Sequence, residues 1–421
     1  MLEGAFSQVT YSLITTTIVS SYLAILSAPT TLLGLILAIP NLTTVMQIIF
    51  ANYVERNSRR RIAVFASSLA KLSIIVMLLS TFIDASSAVI LFALSYLVFN
   101  IFEDVLTVSW SSWTQDILHK GKRGELLSKR LSFGKMVGLP ILAIQTILFH
   151  LLGDRAFSLL FLMAFLFGVT SVYFLHSMND VRSSRIGEGS ILEPLKNRNF
   201  VMWVLLNSIF WFSLSASRGF FALFVLNVLN YSLWFLIYLT LVAHASTIYS
   251  LKIAGKISDY FGNKPLFAII IITFLLSIIM FTISPLVFPA LTLTLAYALH
   301  GFYTSAPTIS FMNAIADMTY KKHSSQFYAI GNWIVDSFSA VGCIVGGIIL
   351  YTTSNLGISS YLILFSLSFV VSLSALVLLK FYFEFAQPVS ASIFSLPRII
   401  YEEIQIRIDF RKATRTTVKS N

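Results

Sequence analysis

The chain has 421 residues, 57% of them hydrophobic and only 11% charged, with a mean hydropathy of +0.83. No water-soluble domain buries that much apolar surface. Apolar runs of about 20 residues recur from end to end, each long enough to cross a hydrocarbon layer roughly 30 Å thick, so an all-α polytopic membrane protein is predicted. The net charge of +11 is divided among short loops rather than gathered in one patch, which argues against nucleic acid as a partner.

Twelve spans are predicted, near 4–26, 31–53, 62–83, 88–116, 131–153, 157–177, 200–227, 231–254, 265–284, 287–316, 328–351 and 358–383. The first carries Ser7, Gln8, Thr10, Tyr11 and Thr15 to Thr17 and lacks a basic start, so it reads as a retained helix rather than a signal peptide. After the second come Arg56, Arg59, Arg60 and Arg61, and the even-numbered links that follow are basic too, through Lys120, Lys122 and Arg123, then Arg182, Arg185, Lys196 and Arg198. Lys256, Lys264, Lys321 and Lys322 continue the series into a basic tail, while the opposite links offer only Arg155. Because cytoplasmic loops retain Lys and Arg, a cell-membrane protein with both termini cytoplasmic is expected. Anionic lipid headgroups are a sufficient partner for the tail.

The fourth span contains the most informative residues. A charge at bilayer depth costs about 3 to more than 10 kcal/mol unless it meets water or a partner, yet Glu103 and Asp104 stand there side by side. Asn100, Asp104 and Thr107 recur at helical spacing as a polar face, which turns Glu103 elsewhere, toward Lys71 of the third span. One of the pair is therefore a candidate proton or cation site, or a counter-charge for a cationic substrate; the plain alternative is a structural ion pair. Asp336 in the eleventh span is a further candidate. Cys343, the sole cysteine, lies in that same span and forms no intrachain disulfide.

The sequence also repeats itself. Ala51 to Arg61, after the second span, is echoed by Gly255 to Pro265 after the eighth, with Glu55 against Asp259; Asp116 at the end of the fourth is echoed by Asp317 at the end of the tenth. Gly134 and Gly138 in the fifth are matched by Gly342 and Gly346 in the eleventh, a spacing that lets helices approach closely. The echoes divide the chain into six-helix halves at 1–180 and 200–384, joined by a linker over 181–199 and followed by a tail at 385–421.

At these positions the sequence resembles the major facilitator superfamily, whose loop between helices two and three runs GxxxDRxGRR. Gly255, Asp259, Gly262, Asn263 and Lys264 fall in register with it, and the first copy keeps Arg56, Arg59 and Arg60 but has Ala51, Glu55 and Ser58. Trp110 to Leu118, followed by Arg123 and Gly124, looks like the family's exit from helix four. The resemblance implies two pseudo-symmetric six-helix bundles, and gating roles for Glu55, Arg56, Arg60, Gly255, Asp259, Lys264, Asp116 and Arg123; a topology signal with local ion pairs is the alternative. It also implies that helices one, four, seven and ten line a central cavity. The substrate and coupling candidates are then Gln8 and Tyr11; Asn100, Glu103 and Asp104; Asn207 and Arg218; and Tyr297 and His300.

Arg218 either meets an anionic substrate or pairs and snorkels to the outer interface. A lone His300 reads more readily as a packing residue than as a titrating one, and His244 still more so. Gly134, Gly138 and Pro140 resemble the family's antiporter motif incompletely, a slender hint of export. The resulting expectation is a secondary transporter for a small solute, working by alternating access, coupled to protons or another cation, acting as a monomer and using no cofactor or metal. A membrane-embedded enzyme acting on lipid or prenyl substrates is the alternative, but no HExxH, paired DxxxD, Walker or GxSxG pattern occurs. A channel is disfavoured because nothing resembles a repeated selectivity filter.

Overall fold

The computed structural model describes residues 2–117, 123–178, 193–318 and 324–382, without the side chains at 51–52, 55–56, 111–135, 193, 259–260, 316–317 and 324–326. The described residues contain helices and no strand. In order they are α1 (Leu2–Leu13), α2 (Thr16–Ile25), α3 (Thr30–Leu42), α4 (Val45–Arg56), α5 (Arg59–Ser80), α6 (Ala85–Ile117), α7 (Arg123–Leu152) and α8 (Ala156–His176). There follow α9 (Arg198–Arg218), the short α10 (Phe221–Leu223), α11 (Leu233–Phe261), α12 (Asn263–Ile283), α13 (Pro289–Met318), α14 (Ser324–Thr352) and α15 (Ile358–Leu378).

Nine stretches of the described chain are long and apolar enough to cross a membrane. One of them, Met136–His176, holds two helices, because Gly153 takes a positive φ of 55° and turns α7 back into α8. The outward faces of the helices are apolar: Phe65, Leu72 and Leu79 recur every seventh residue along α5, and Ile272, Leu276, Ile279 and Ile283 along α12, all exposed. Unpartnered apolar faces of this length belong against lipid, so the protein is a multi-pass membrane protein.

Two expected spans are broken. The run predicted as one helix over 4–26 divides into α1 and α2 at Ile14 and Thr15, where Thr15 adopts extended backbone and its hydroxyl accepts from the Ile18 amide at 3.4 Å. A β-branched hydroxyl residue is a good helix cap and an indifferent interior residue, which explains the break inside a threonine run. The second span divides into α3 and α4 just after Pro40, which has no amide proton to give. There the hydroxyls of Thr43 and Thr44 bind the carbonyls of Pro40 and Asn41 at 3.2 and 2.7 Å.

The buried side chains form two large apolar clusters. One is built around Tyr22, Phe92, Phe157 and Phe161, the other around Trp203, Phe210, Phe267 and Phe274. They meet where α14 lies against both α9 and α3, where α7 packs on α11, and where α10 touches α2. Helices in lipid gain nothing by hiding apolar surface from one another, so close packing must hold such contacts together. The glycines of α14 permit it. A methyl group on Gly342 would lie 2.3 Å from the Phe212 carbonyl oxygen of α9, and one on Gly346 2.2 Å from that of Ala216. On the opposite side, Gly347 meets the Thr30 carbonyl and Gly34 of α3, with a hypothetical Cβ at 2.5 Å from the oxygen.

Candidate functional site

The adjacent carboxylates of α6 project about 100° apart, as successive residues of a helix must, and their surroundings differ. Glu103 points back into its own half. It binds the Lys71 ammonium of α5 and accepts from the Tyr11 hydroxyl of α1. Lys71 is 2% exposed and Glu103 6%, so both charges are withdrawn from water together. The rings of Tyr11 and Phe99 flank the ammonium at 5.5 and 5.4 Å from their centroids, and its aliphatic stem lies over Gly168 of α8, which has no side chain to obstruct it. Every feature of this cluster stabilises a fixed pair.

Asp104 turns instead to α4. Gln47 donates to one carboxylate oxygen at 2.6 Å, with the Thr43 hydroxyl alongside, and the other oxygen is buried without a partner. The residue is only 8% exposed. Asp336, partly buried on α14, lies within electrostatic reach of Asp104 from the other half of the chain. The sequence placed Asp336 away from the helices expected to line a cavity; the structure brings it within reach of Asp104, which among the described carboxylates of α6 is the one with an unused oxygen. The Asn100 amide and the Thr107 hydroxyl bind back to the carbonyls of Tyr96 and Glu103 at 2.7 and 2.8 Å.

The second half carries the opposite charge. Arg218 ends α9, partly buried, and among the described residues it has no hydrogen bond and no carboxylate; its electrostatic neighbours are Tyr297, Tyr303 and Cys343. His300 stands edge-on between Tyr297 and Tyr303, with ring centroids at 5.7 and 5.1 Å, and both of its ring nitrogens are buried without a partner. His244, on α11, binds the Thr240 carbonyl at 3.0 Å. Asn207 is fully buried in α9, where its amide donates to the Trp203 carbonyl at 2.9 Å and its oxygen is unpartnered. Gln8 of α1 packs by Gly138 of α7, next to Ser12.

Beyond Arg218 the chain passes through Gly219 and α10 into a single π-turn, Phe224–Val228. Composition gives no signal for such a turn, which often marks a functional region. Tyr303, Gln47 and Thr43 were also missed, because what assigns them to the site is contact across helices distant in the chain.

Of the expected gating residues, the side chains of Glu55, Arg56, Asp259, Asp116 and Arg123 lie outside the described residues. Arg60 donates to the His176 carbonyl at the end of α8, beside a cavity of about 450 Å³ that also involves Arg61, Phe65 and Ser68. Gly255 faces open space on α11. Lys264, at the start of α12, donates to the Tyr382 carbonyl at 2.7 Å and thus ties down the segment that follows α15. Gly262 supplies the turn between α11 and α12 at φ 92°, a conformation that L side chains rarely adopt. A polar knot next to it joins three helices: Ser258 to Asn263 at 2.7 Å and Asn313 to Ser258 at 2.8 Å.

The fold is that of known transporters. It is similar to the D-xylose-proton symporter, with a TM-score of 0.71 and 15% identity over 91% of this chain and 96% of that one. It is also similar to a mutant of the nucleoside transporter NupG, with a TM-score of 0.70 and 14% identity over 90% and 98%. The inward-open xylose transporter XylE from E. coli matches at 0.63 and 13% identity over 94% and 97%. No curated protein matches the sequence. A family model, the Major Facilitator Superfamily, matches residues 3–342. Most of the chain lies within that match, and the chain belongs to the Major Facilitator Superfamily.

Proposed function

We propose that the protein is a proton-coupled secondary transporter that crosses the cell membrane twelve times. Two six-helix halves, 1–180 and 200–384, rock about a small solute held between them, with both termini, the linker 181–199 and the tail 385–421 in the cytoplasm. Family membership supports transport, and the sequence echoes between 1–180 and 200–384 support the halves. The observation that carries the coupling is Asp104. Among the described residues it is the buried carboxylate with an unused oxygen, and Asp336 opposes it, whereas Glu103 is neutralised by Lys71. Two like charges brought together away from water are relieved by a proton, and separating them releases it. Rocking of the halves would do just that. A structural neighbour is itself a D-xylose-proton symporter, in keeping with this reading.

The glycine contact between α3 and α14 brings backbone of the two halves together, and we assign it to the outer gate. Glu55, Arg56, Arg60, Gly255, Asp259, Lys264, Asp116 and Arg123 form the inner gates in this reading. The protein works as a monomer.

The test is solute flux into proteoliposomes under an imposed pH gradient, across a broad solute panel. Asp104→Asn should abolish gradient-driven accumulation while leaving exchange of internal for external solute intact. Accumulation by Asp104→Asn equal to that of the wild type would sink the coupling assignment; no flux of any solute would sink transport itself.

A further inference from the structure

Arg218 poses a problem that its surroundings do not solve. It stands inside the apolar layer, its electrostatic neighbours are two tyrosines and a cysteine, and no described carboxylate answers it. Its place at the C-terminal end of α9 is mildly favourable for a cation, but the dipole there is a weak substitute for a counterion. Beside it, His300 buries two ring nitrogens that have no partner in the protein. A buried polar group is nearly always bonded, and these two are not. The position is also fixed: Gly346 lets α14 press on the backbone of Ala216, two residues before Arg218, and Ser215 binds Ser339 of α14 at 2.5 Å. Arg218 itself is only partly buried, so its guanidinium is not sealed off by the protein.

We propose that Arg218 and His300, with Tyr297 at their side, form the receptor for the carboxylate of a monoanionic organic solute. The chemistry favours this class. A guanidinium presents its N–H groups as a planar fork that matches a carboxylate, and a neutral imidazole adds one further donor. A single guanidinium cancels one negative charge; a dianionic phosphate monoester would leave a second charge buried and unmatched. The inference rests on the transporter reading for its biological sense, and names the substrate class of that same site.

The test measures binding separately from transport. Full-length protein in detergent is titrated, by calorimetry and by shift of its melting temperature, with aliphatic and aromatic monocarboxylates, their amides, the matching phosphate monoesters, and chloride. At least one carboxylate should bind, with its amide and its phosphate counterpart weaker by roughly tenfold or more. Arg218→Gln should erase that preference, Arg218→Lys should keep part of it, and His300→Phe should weaken carboxylate binding. The baseline melting temperature reports whether each variant is folded; if Arg218→Gln is not, Arg218→Lys and His300→Gln carry the same reading. The proposal is overturned if no carboxylate binds, if amide, phosphate or chloride binds as well, or if folded Arg218→Gln retains the preference. Arg218-dependent binding without flux in proteoliposomes would leave this inference standing and remove the transporter reading. Arg218-independent flux of neutral solutes alone would do the reverse.

Discussion

Lys71 and Arg218 are both cations carried by helices of the apolar layer, one in each half of the chain, and the protein treats them oppositely. Around Lys71 a carboxylate, a hydroxyl and two aromatic faces close in, and the side chain is almost fully buried. Arg218 has no carboxylate, is partly exposed, and adjoins a histidine whose nitrogens are equally unprovided for. Charge alone therefore does not mark a site. A matched buried charge holds helices in register, whereas an unmatched one raises the energy of the empty protein and is relieved only when something binds. The same contrast separates the neighbours Glu103 and Asp104 along a single helix.

The largest expected effect falls on the matched pair. Glu103→Gln strands the Lys71 ammonium, and breaking a buried pair costs about 3–5 kcal/mol; folded yield and melting temperature in detergent should drop sharply. The double variant Lys71→Met with Glu103→Leu should recover much of the loss, since it removes both charges. Next comes the glycine contact between halves. A side chain at Gly347 collides with the Thr30 carbonyl, so Gly347→Leu should prise α14 from α3. The sole cysteine, Cys343, buried on α14 one turn before Gly347, should then react several-fold faster with a maleimide.

Arg218→Met sharpens the comparison most directly, because it should leave the melting temperature unchanged or raise it while abolishing carboxylate binding. A loss of stability as large as that of Glu103→Gln would mean that Arg218 is structural after all. Asp104→Asn keeps an acceptor for Gln47 and should change stability by less than about 1 kcal/mol, its effect appearing in proton-driven accumulation. The smallest effect is expected at Asp84, exposed at the start of α6. The amide of Ser87 at 3.0 Å and the hydroxyl of Ser86 at 2.7 Å hold its carboxyl below the usual range. A carboxyl lowered by folding contributes stability above its unfolded value and loses it as the pH falls through the folded one. The difference in melting temperature between wild type and Asp84→Ala should therefore be present at neutral pH and shrink on acidification.

Much of the helical layout was legible in the chain because membrane helices write their length into long apolar runs. The turn of Glu103 toward Lys71 was legible as well, since neighbouring residues on one helix cannot share a direction. The breaks at Thr15 and Thr43 were not. Both fall inside runs long enough to span the layer, and neither the Thr15 cap on the Ile18 amide nor the break beyond Pro40 follows from length and hydropathy. Asp336 was undervalued for a different reason: its importance comes from Asp104, which is 232 residues away in the chain.

By itself the sequence determined the membrane as solvent, most of the helices and the family, because each depends on composition and on pattern within one segment. The tertiary structure decided which charges are matched. Glu103 and Asp104 are nearly equivalent as letters, and so are Lys71 and Arg218 as cations in apolar helices; what distinguishes them is whether another helix brings a partner. That partnership depends on the room that Gly168 leaves for the Lys71 stem and on how closely backbones approach at Gly346 and Gly347, and no local pattern encodes which helix will arrive there.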